Sequence, residues 1–542
     1  MIRILTILVL ILGVTFLGCG AGDMADSKGA GAEWDDNHGN TQDPTSPGEG
    51  EQQPPPPETE IDFSYKAPQA SEHYVYVAAT SRDSLVRIDA ETLEIRLIPV
   101  GGQPTRVATL PAGDVALVIN SGTQDLSMVV SSEEDDEVST IDMIPDVNAI
   151  AVSPDGEYAI VYYNDLQADP GDPEGDRQTV AVVSLKNGEP NMAMVSIGFH
   201  PTAVYFHESM PRAHLVTDDG ISVIDLDEAK NGDISTIVPV SDDIMEDASL
   251  REVLITDNGK YAVVRHLAHP KLTVIDLHSG QLESMELDGL PTDVDLIPGD
   301  EDKALVVLRE AALAYIVDLD LLVAADEEGD RGDALVEIDI DGSYAGAAVV
   351  TGDGTRAVLY TTVGAVKAIS LMDLTAKEYD WKPYPVQKGV AGVAVSLEGL
   401  TAVVLHEKES FDPADSDLSK SIASSEGFTL FDLETGYRKL IQSDHRWTEY
   451  LFVEEATGAD LGAYILAPDP AGYSHQVLNI DLQTYLVDKT LLISKPTSLV
   501  FVPKSRKVAV AQEHENGRVT FIDVDSKATY SVTGYELNGL IN

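Results

Sequence analysis

Lys271–Leu308, KLTVIDLHSGQLESMELDGLPTDVDLIPGDEDKALVVL, carries the pattern that decides the fold. An alternating segment, Leu272–Asp276, runs into a polar turn at His278-Ser279-Gly280. A second strand follows at Leu282–Leu287, then Leu290-Pro291-Thr292, a third strand at Val294–Ile297, a charged turn at Gly299–Asp302 and an apolar strand at Ala304–Leu308. Short strands with a turn signal roughly every ten residues are an all-β pattern, and recurrence at a period of about 40 to 60 residues predicts the blades of a propeller.

Outward from this stretch, an apolar-Asp-apolar step at a strand end recurs. It reads Ile88-Asp89-Ala90, Ile224-Asp225-Leu226, Ile275-Asp276-Leu277, Val317-Asp318-Leu319, Met372-Asp373-Leu374, Phe431-Asp432-Leu433, Ile480-Asp481-Leu482 and Ile522-Asp523-Val524. Val183-Ser184-Leu185 has serine in the slot and Val129–Ser132 is a degenerate copy, which makes ten hairpins. Each aspartate is expected to open a β-turn and accept backbone N–H groups two residues on, a structural role. The complementary half, an inner strand, a turn and a second strand, is clearest at Ile150–Ser153, Pro154-Asp155-Gly156 and Tyr158–Tyr163; nine copies are countable. The expectation is an all-β chain folded as a single β-propeller of four-stranded blades over 68–542. It has nine to ten repeat units, or eight if some pair irregularly. The missing inner strand of the first blade is expected from the tail after Tyr535 or from Ile61–Tyr65, terminal strands closing the ring and removing an open edge.

Leu272–Gly280 (LTVIDLHSG), Thr429–Gly436 (TLFDLETG), Ile150–Gly156 (IAVSPDG) and Pro291-Thr292-Asp293-Val294 resemble YVTN-type β-propeller repeats, a group that includes lactonase-like propellers and many cell-surface proteins. The resemblance covers nearly all of residues 72–542. Its motifs are turn residues and strand alternation, so it implies a fold rather than a chemistry. The Gly-His and Trp-Asp pairs of WD40 repeats are missing from residues 72–542, and the one Gly-Gly pair, Gly101-Gly102, separates the chain from kelch repeats.

The N-terminus gives an address. Residues 1–18 place Arg3 before the apolar run Ile4–Leu17, too short for a comfortable membrane span, in a signal-peptide pattern. Phe16-Leu17-Gly18-Cys19 resembles the bacterial lipobox, with departures at Phe16 and Leu17, and implies lipidation of Cys19. Gly20 after the cysteine implies the outer membrane by the enterobacterial sorting rule. Cys19 is the one cysteine of the chain, so intramolecular disulfides and thiolate metal sites are excluded. Residues 19–67 are rich in Gly, Asp, Glu, Ser, Gln and Pro and read as a disordered acidic tether, spanning about 35 Å root-mean-square. The expected attachment to the cell envelope is through this lipid alone.

The formal charge is −57, and residues up to Asp62 hold only 11 acidic and 2 basic side chains, leaving −48 on the repeats. Such a surface repels phosphates and anionic head groups, which argues against nucleic-acid binding. Acidic loops can take a hard cation such as calcium, and Asp165, Asp169, Asp172, Glu174 and Asp176 crowd one of them, with Asp412, Asp415 and Asp417, and Asp326–Asp333, in two others. A solvated acidic loop is the plainer reading of all three.

Propeller topology places the ends of second strands and the starts of inner strands on one face around the channel. Residues expected there include Asn120, Asn164, Asp218, Arg265, His266, Arg309, Glu310, His406, Glu407, Glu513 and His514, joined by Arg106, His200, His445 and Arg446. A His, Arg and Glu mixture suits recognition of a polar ligand, or acid–base work, or a hydrated polar lining. Gly-x-Ser-x-Gly, His-Glu-x-x-His and phosphate-loop motifs are missing from the sequence. The reading is therefore a monomeric, lipid-anchored envelope module that binds a protein or extracellular ligand, with Asn120, Asn164, His200, Arg265, Arg309 and His445 on its binding face. The alternative is a lactonase-like hydrolase, metal-dependent or not, drawing on His266, His406, Glu407, Glu310 and His514.

Overall fold

The computed structural model describes residues 68–535 apart from 169–172, 187, 242–245, 300–301, 326–331, 364–365 and 455–458. These residues form ten antiparallel four-stranded sheets, nine of them built from consecutive strands; in the fourth, Asp233–Ile234 interrupts the run and joins the third sheet as a fifth, parallel strand beside Asn191–Ser196. The opening stretch supplies the second strand's partner and outer strand of blade 5, Lys271–Asp276 and Leu282–Glu286, and the first two strands of blade 6, Asp293–Ile297 and Lys303–Leu308.

Alternation explains why sheets become a ring. In blade 1 the second strand, Tyr74–Ala79, sends Tyr74 and Tyr76 toward blade 2 and Val75 toward blade 10. Second and third strands are thus apolar on both sides, and each gap between neighbouring blades holds its own core. Ten such cores exist, one for every adjacent pair including blades 10 and 1. The count of blades is ten, at the upper end of the expected range.

Ring closure differs from expectation. The inner strand of blade 1 is Gln69–Ala70, which pairs with Val75 and Tyr76 in its own hairpin. Ile61–Tyr65 and the tail after Tyr535 lie outside the described residues. Among the described residues, blades 1 and 10 are each made from one end of the chain, so the seam there is closed by packing instead of strand exchange. Val75, Val86 and Ile88 meet Val502, Val519, Phe521 and Tyr535 there. Lys504 N–H donates to the Glu72 carbonyl at 3.0 Å, and Lys507 Nζ to the Ala90 carbonyl at 2.7 Å. Gly517, with φ of 70°, is required at this seam, because a Cβ would stand 2.2 Å from the Tyr535 ring.

The recurring aspartates are turn residues. Asp89, Asp225, Asp276, Asp373, Asp432, Asp481 and Asp523 each accept two backbone N–H groups, two and three residues on, at 2.7–3.2 Å. Asp318 instead caps helix α1 (Leu319–Ala324) through the Leu321 N–H. On this turn face the next acidic residue ties blades together: Tyr261 OH donates to Asp320 at 2.5 Å, and Tyr158 and Lys186 both donate to Asp227. The acidic insertion at Asp412–Asp417 leads into helix α2 (Asp417–Ser424), capped by Ser416, and Asp412 accepts the Ala414 N–H. Buried Lys388 donates to the carbonyls of Ile422 and Ala423 at the end of that helix, where a cation is favoured.

Candidate functional site

The face carrying the ends of second strands also carries every loop that joins an outer strand to the next inner strand. The structure distributes the expected polar residues around this face as separate pairs, not as one centre. Between blades 3 and 4, Arg177 grips both oxygens of Asp165 at 2.7 Å, and its guanidinium holds that carboxyl below its ordinary range. His200 bridges Asp165 and Asp218 at 3.2 and 3.3 Å. Asn164 caps a short turn at Leu166, and Arg106 donates to the carbonyls of Asn148 and Gln167. Farther round, Arg265 pairs with Glu252 at 2.6 Å, Arg446 with Glu407, and Lys495 with Glu513 at 2.6 Å. His514 accepts the Asn516 N–H at 3.1 Å, and Glu310 is exposed.

Histidines 266 and 406 are not on the channel face. They are 1% and 0% exposed, inside their blades, because each ends a second strand opposite a third-strand hydroxyl. His266 Nε2 lies 3.0 Å from Thr273 Oγ1 and its Nδ1 2.6 Å from Glu246 Oε1. His406 lies 2.8 Å from Thr429 Oγ1 and 2.7 Å from the Gly389 carbonyl; burial holds its pKa down at about 4. Asn120 and Gln512 fill the same slot against Ser127 and Thr520, at 2.9 and 2.6 Å. In three of these blades the hydroxyl passes the contact to the outer strand: Ser127 to Thr140, Thr273 to Ser284 and Thr520 to Ser531. A second-strand amide or imidazole joined to hydroxyls across the blade is a repeated internal brace that satisfies buried polar groups.

The acidic loop of blade 3 is built differently from a cation site, in that Asp165 and Glu174 both face Arg177. Asp176 accepts the Gln178 N–H; Asp169 and Asp172 lie outside the described residues, as does Cys19. Among the described residues no group of three or more His, Asp or Glu side chains is arranged to hold a metal ion.

One expected residue does line a cavity. Arg309, Ala312, Asp341, Tyr344, Thr361 and Val366 surround a cleft of about 310 Å³ between blades 6 and 7. Three loops of this face build it: the turn after Leu308, the link between Asp339 and Ala347, and the turn after Tyr360. Tyr344 has φ of 57° and is 66% exposed, so its ring stands at the mouth. The sequence signal missed here was an aromatic in a loop otherwise made of small residues, Gly342-Ser343-Tyr344-Ala345-Gly346. The half-buried apolar residues of the inner strands, among them Val107, Phe206, Leu296, Phe452 and Phe501, pack against the cores between blades.

The chain is a ten-bladed β-propeller. No protein-family model matches it, and no curated protein does. Among solved structures it is similar to a eukaryotic initiation factor, with 10% identity over 86% of this chain and 97% of that one, at a TM-score of 0.43. It is similar to the dihydro-heme d1 dehydrogenase NirN in complex with DHE, with 13% identity over 72% and 76% of the two chains and a TM-score of 0.39. AztD from Citrobacter koseri gives 10% identity, 78% and 95% coverage and a TM-score of 0.37. At these scores no property of those proteins is carried to this chain.

Proposed function

We propose that this propeller is a lipid-anchored module of the bacterial cell envelope that binds a protein or extracellular ligand through the face described above. The observation that carries the reading is the cleft between blades 6 and 7. Its volume of about 310 Å³ admits one protruding side chain or sugar ring. Arg309 and Asp341 offer charges of both signs, and the Tyr344 ring gives a flat amphipathic contact of the kind enriched at binding hot spots. The repeats themselves act as a scaffold, their aspartates engaged in turns and their hydroxyl braces internal.

Envelope extract passed over immobilised protein tests the reading. Wild type is expected to retain a specific partner that the Arg309→Ala, Tyr344→Ala double variant loses by tenfold or more. Equal retention by both proteins assigns binding elsewhere and sinks the role of this cleft. The anchor has its own test, motivated by the lipobox-like Phe16–Cys19. Cys19→Ala is expected to move the protein from the membrane fraction to the soluble fraction, and an unchanged distribution rejects lipid attachment.

A further inference from the structure

The blade 9 loops bring together three residues that the cleft between blades 6 and 7 does not use. His445 sits in the link between the outer strand of blade 8 (Arg438–Ser443) and the inner strand of blade 9 (Glu449–Glu454); Asp469 and Ser474 sit between the second strand (Asp460–Ala467) and the third (His475–Asp481). His445 Nε2 is 3.0 Å from Ser474 Oγ, and His445 Nδ1 is 3.8 Å from Asp469 Oδ1. Ser474 Oγ also lies 3.4 Å from Asp469 Oδ2, so serine, imidazole and carboxylate form one contact cluster, the residue set that serine-dependent acyl transfer uses.

The loop is held firmly. Asp469 accepts the N–H groups of Ala471, Tyr473 and Ser474 at 2.8–2.9 Å, which keep its carboxyl below the ordinary range and therefore ionised. Its own N–H donates to buried His475 Nδ1 at 3.0 Å, and Ser443 Oγ donates to the His445 carbonyl at 2.9 Å. Asp469 and His445 side chains are 8% and 12% exposed, while Ser474 is half-buried and reachable.

A second observation points to a ligand. Three of the most exposed large apolar side chains among the described residues, Tyr473 at 91%, Ile493 at 79% and Leu491 at 70%, lie near Ser474 along the chain or across the sheet. The register pairs His475 with Leu492 and Gln476 with Leu491, and the ladder ends there, with Ser474 and Ile493 the next residue on each side. An apolar platform beside a serine–histidine pair suits a substrate with a reactive carbonyl attached to an apolar group.

We propose that Ser474, His445 and Asp469 form a hydrolytic site for esters with apolar acyl groups, separate from the cleft between blades 6 and 7. Ser474 Oγ attacks the carbonyl carbon while His445 Nε2 takes its proton; the C–O bond to the alcohol breaks and that alcohol leaves with the proton from the imidazolium. Water, deprotonated by His445, then cleaves the acyl-serine to the acid and restores Ser474. Asp469 is the positioning residue, holding the Ser474 amide and balancing the imidazolium charge from 3.8 Å. The Ser474 N–H is spent on Asp469, so the developing oxyanion lacks the donor that the nucleophile's own amide often supplies. Loss of one such donor costs about a hundredfold to a thousandfold in rate, which directs the site toward esters with good leaving groups.

The test incubates the purified full chain with an alkyl fluorophosphonate and maps the adduct by mass spectrometry, alongside hydrolysis of p-nitrophenyl acetate and butyrate. The expected result is one adduct, on Ser474, lost in Ser474→Ala and slowed at least tenfold in His445→Gln, with the butyrate preferred. The double variant Leu491→Ser, Ile493→Ser, both at exposed positions, is expected to lower kcat/KM for the butyrate about tenfold and to abolish its preference over the acetate. An unmodified Ser474 in the wild-type chain overturns the proposal, as does hydrolysis that survives Ser474→Ala. Labelling of Ser474 with a chain-length preference unaffected by the double variant overturns the assigned substrate class.

Discussion

Replacing Phe521 by alanine is expected to lower the unfolding free energy by about 3–5 kcal/mol, the usual cost of deleting a buried aromatic ring. Phe521 is fully buried in the core that joins blades 10 and 1, against residues of both ends of the chain. Every other pair of neighbouring blades is also joined by a covalent link, but this one is not. Its closure rests on the shared core, the Lys504–Glu72 backbone bond and the Lys507–Ala90 contact. The loss is therefore expected to open the ring locally before it unfolds globally. Denaturant melts give the free energy, and native-state hydrogen exchange gives the location. Amides of Tyr74–Ala79 and Arg518–Asp523 should lose protection ahead of those in blades 4 to 6. A uniform loss around the ring would contradict a seam that lacks a covalent link and is the first to open.

A second large effect depends on pH. Glu449 begins the inner strand of blade 9 and reaches across to accept the Leu499 N–H of blade 10 at 3.1 Å. Burial pushes its carboxyl up to about 7 from an ordinary value of 4.5, outweighing that one amide bond. Because the folded pKa is raised, the folded state binds the extra proton between about 4.5 and 7, and stability falls as pH rises through this window. The full penalty, on the order of 3 kcal/mol, is present above the folded pKa and vanishes below the unfolded one. Glu449→Gln keeps an acceptor for Leu499 and removes the charge. It is expected to stabilise the protein by about 2–3 kcal/mol at pH 8 and by almost nothing at pH 4. Parallel urea melts of variant and wild type at the two pH values check this, and a pH-independent difference would refute the charged-state penalty. His406 works in the opposite sense: burial lowers its pKa to about 4, so its contribution to stability falls as pH drops below about 6.5.

Much of the architecture was legible because propeller repeats advertise themselves locally. Asp276 and its equivalents form turns with N–H groups two and three residues away, and strands such as Val115–Asn120 show their two-sided burial as unbroken apolar runs. The inner strand of blade 1 was illegible for the opposite reason. Two residues, Gln69 and Ala70, carry no alternation to read.

The site was less legible. His266, Arg309 and His445 occupy similar places near strand ends, yet one is sealed in an internal brace, one lines a cleft and one meets a serine. The difference lies in partners distant in sequence: Glu246 for His266, Tyr344 for Arg309, and Ser474, 29 residues on, for His445. Ser474 itself gave only an indirect sign, a loop of seven residues, 468–474, where blade 2 uses four.

By itself, the sequence determined an all-β propeller, its turn aspartates and its strongly acidic surface, since turn geometry, strand alternation and net charge depend on neighbours along the chain. Tertiary structure alone decided that ten blades close without strand exchange, which histidines face inward, and that His445, Asp469 and Ser474 meet. Those outcomes depend on packing between blades and on register across a sheet, which sum contacts between residues far apart in sequence.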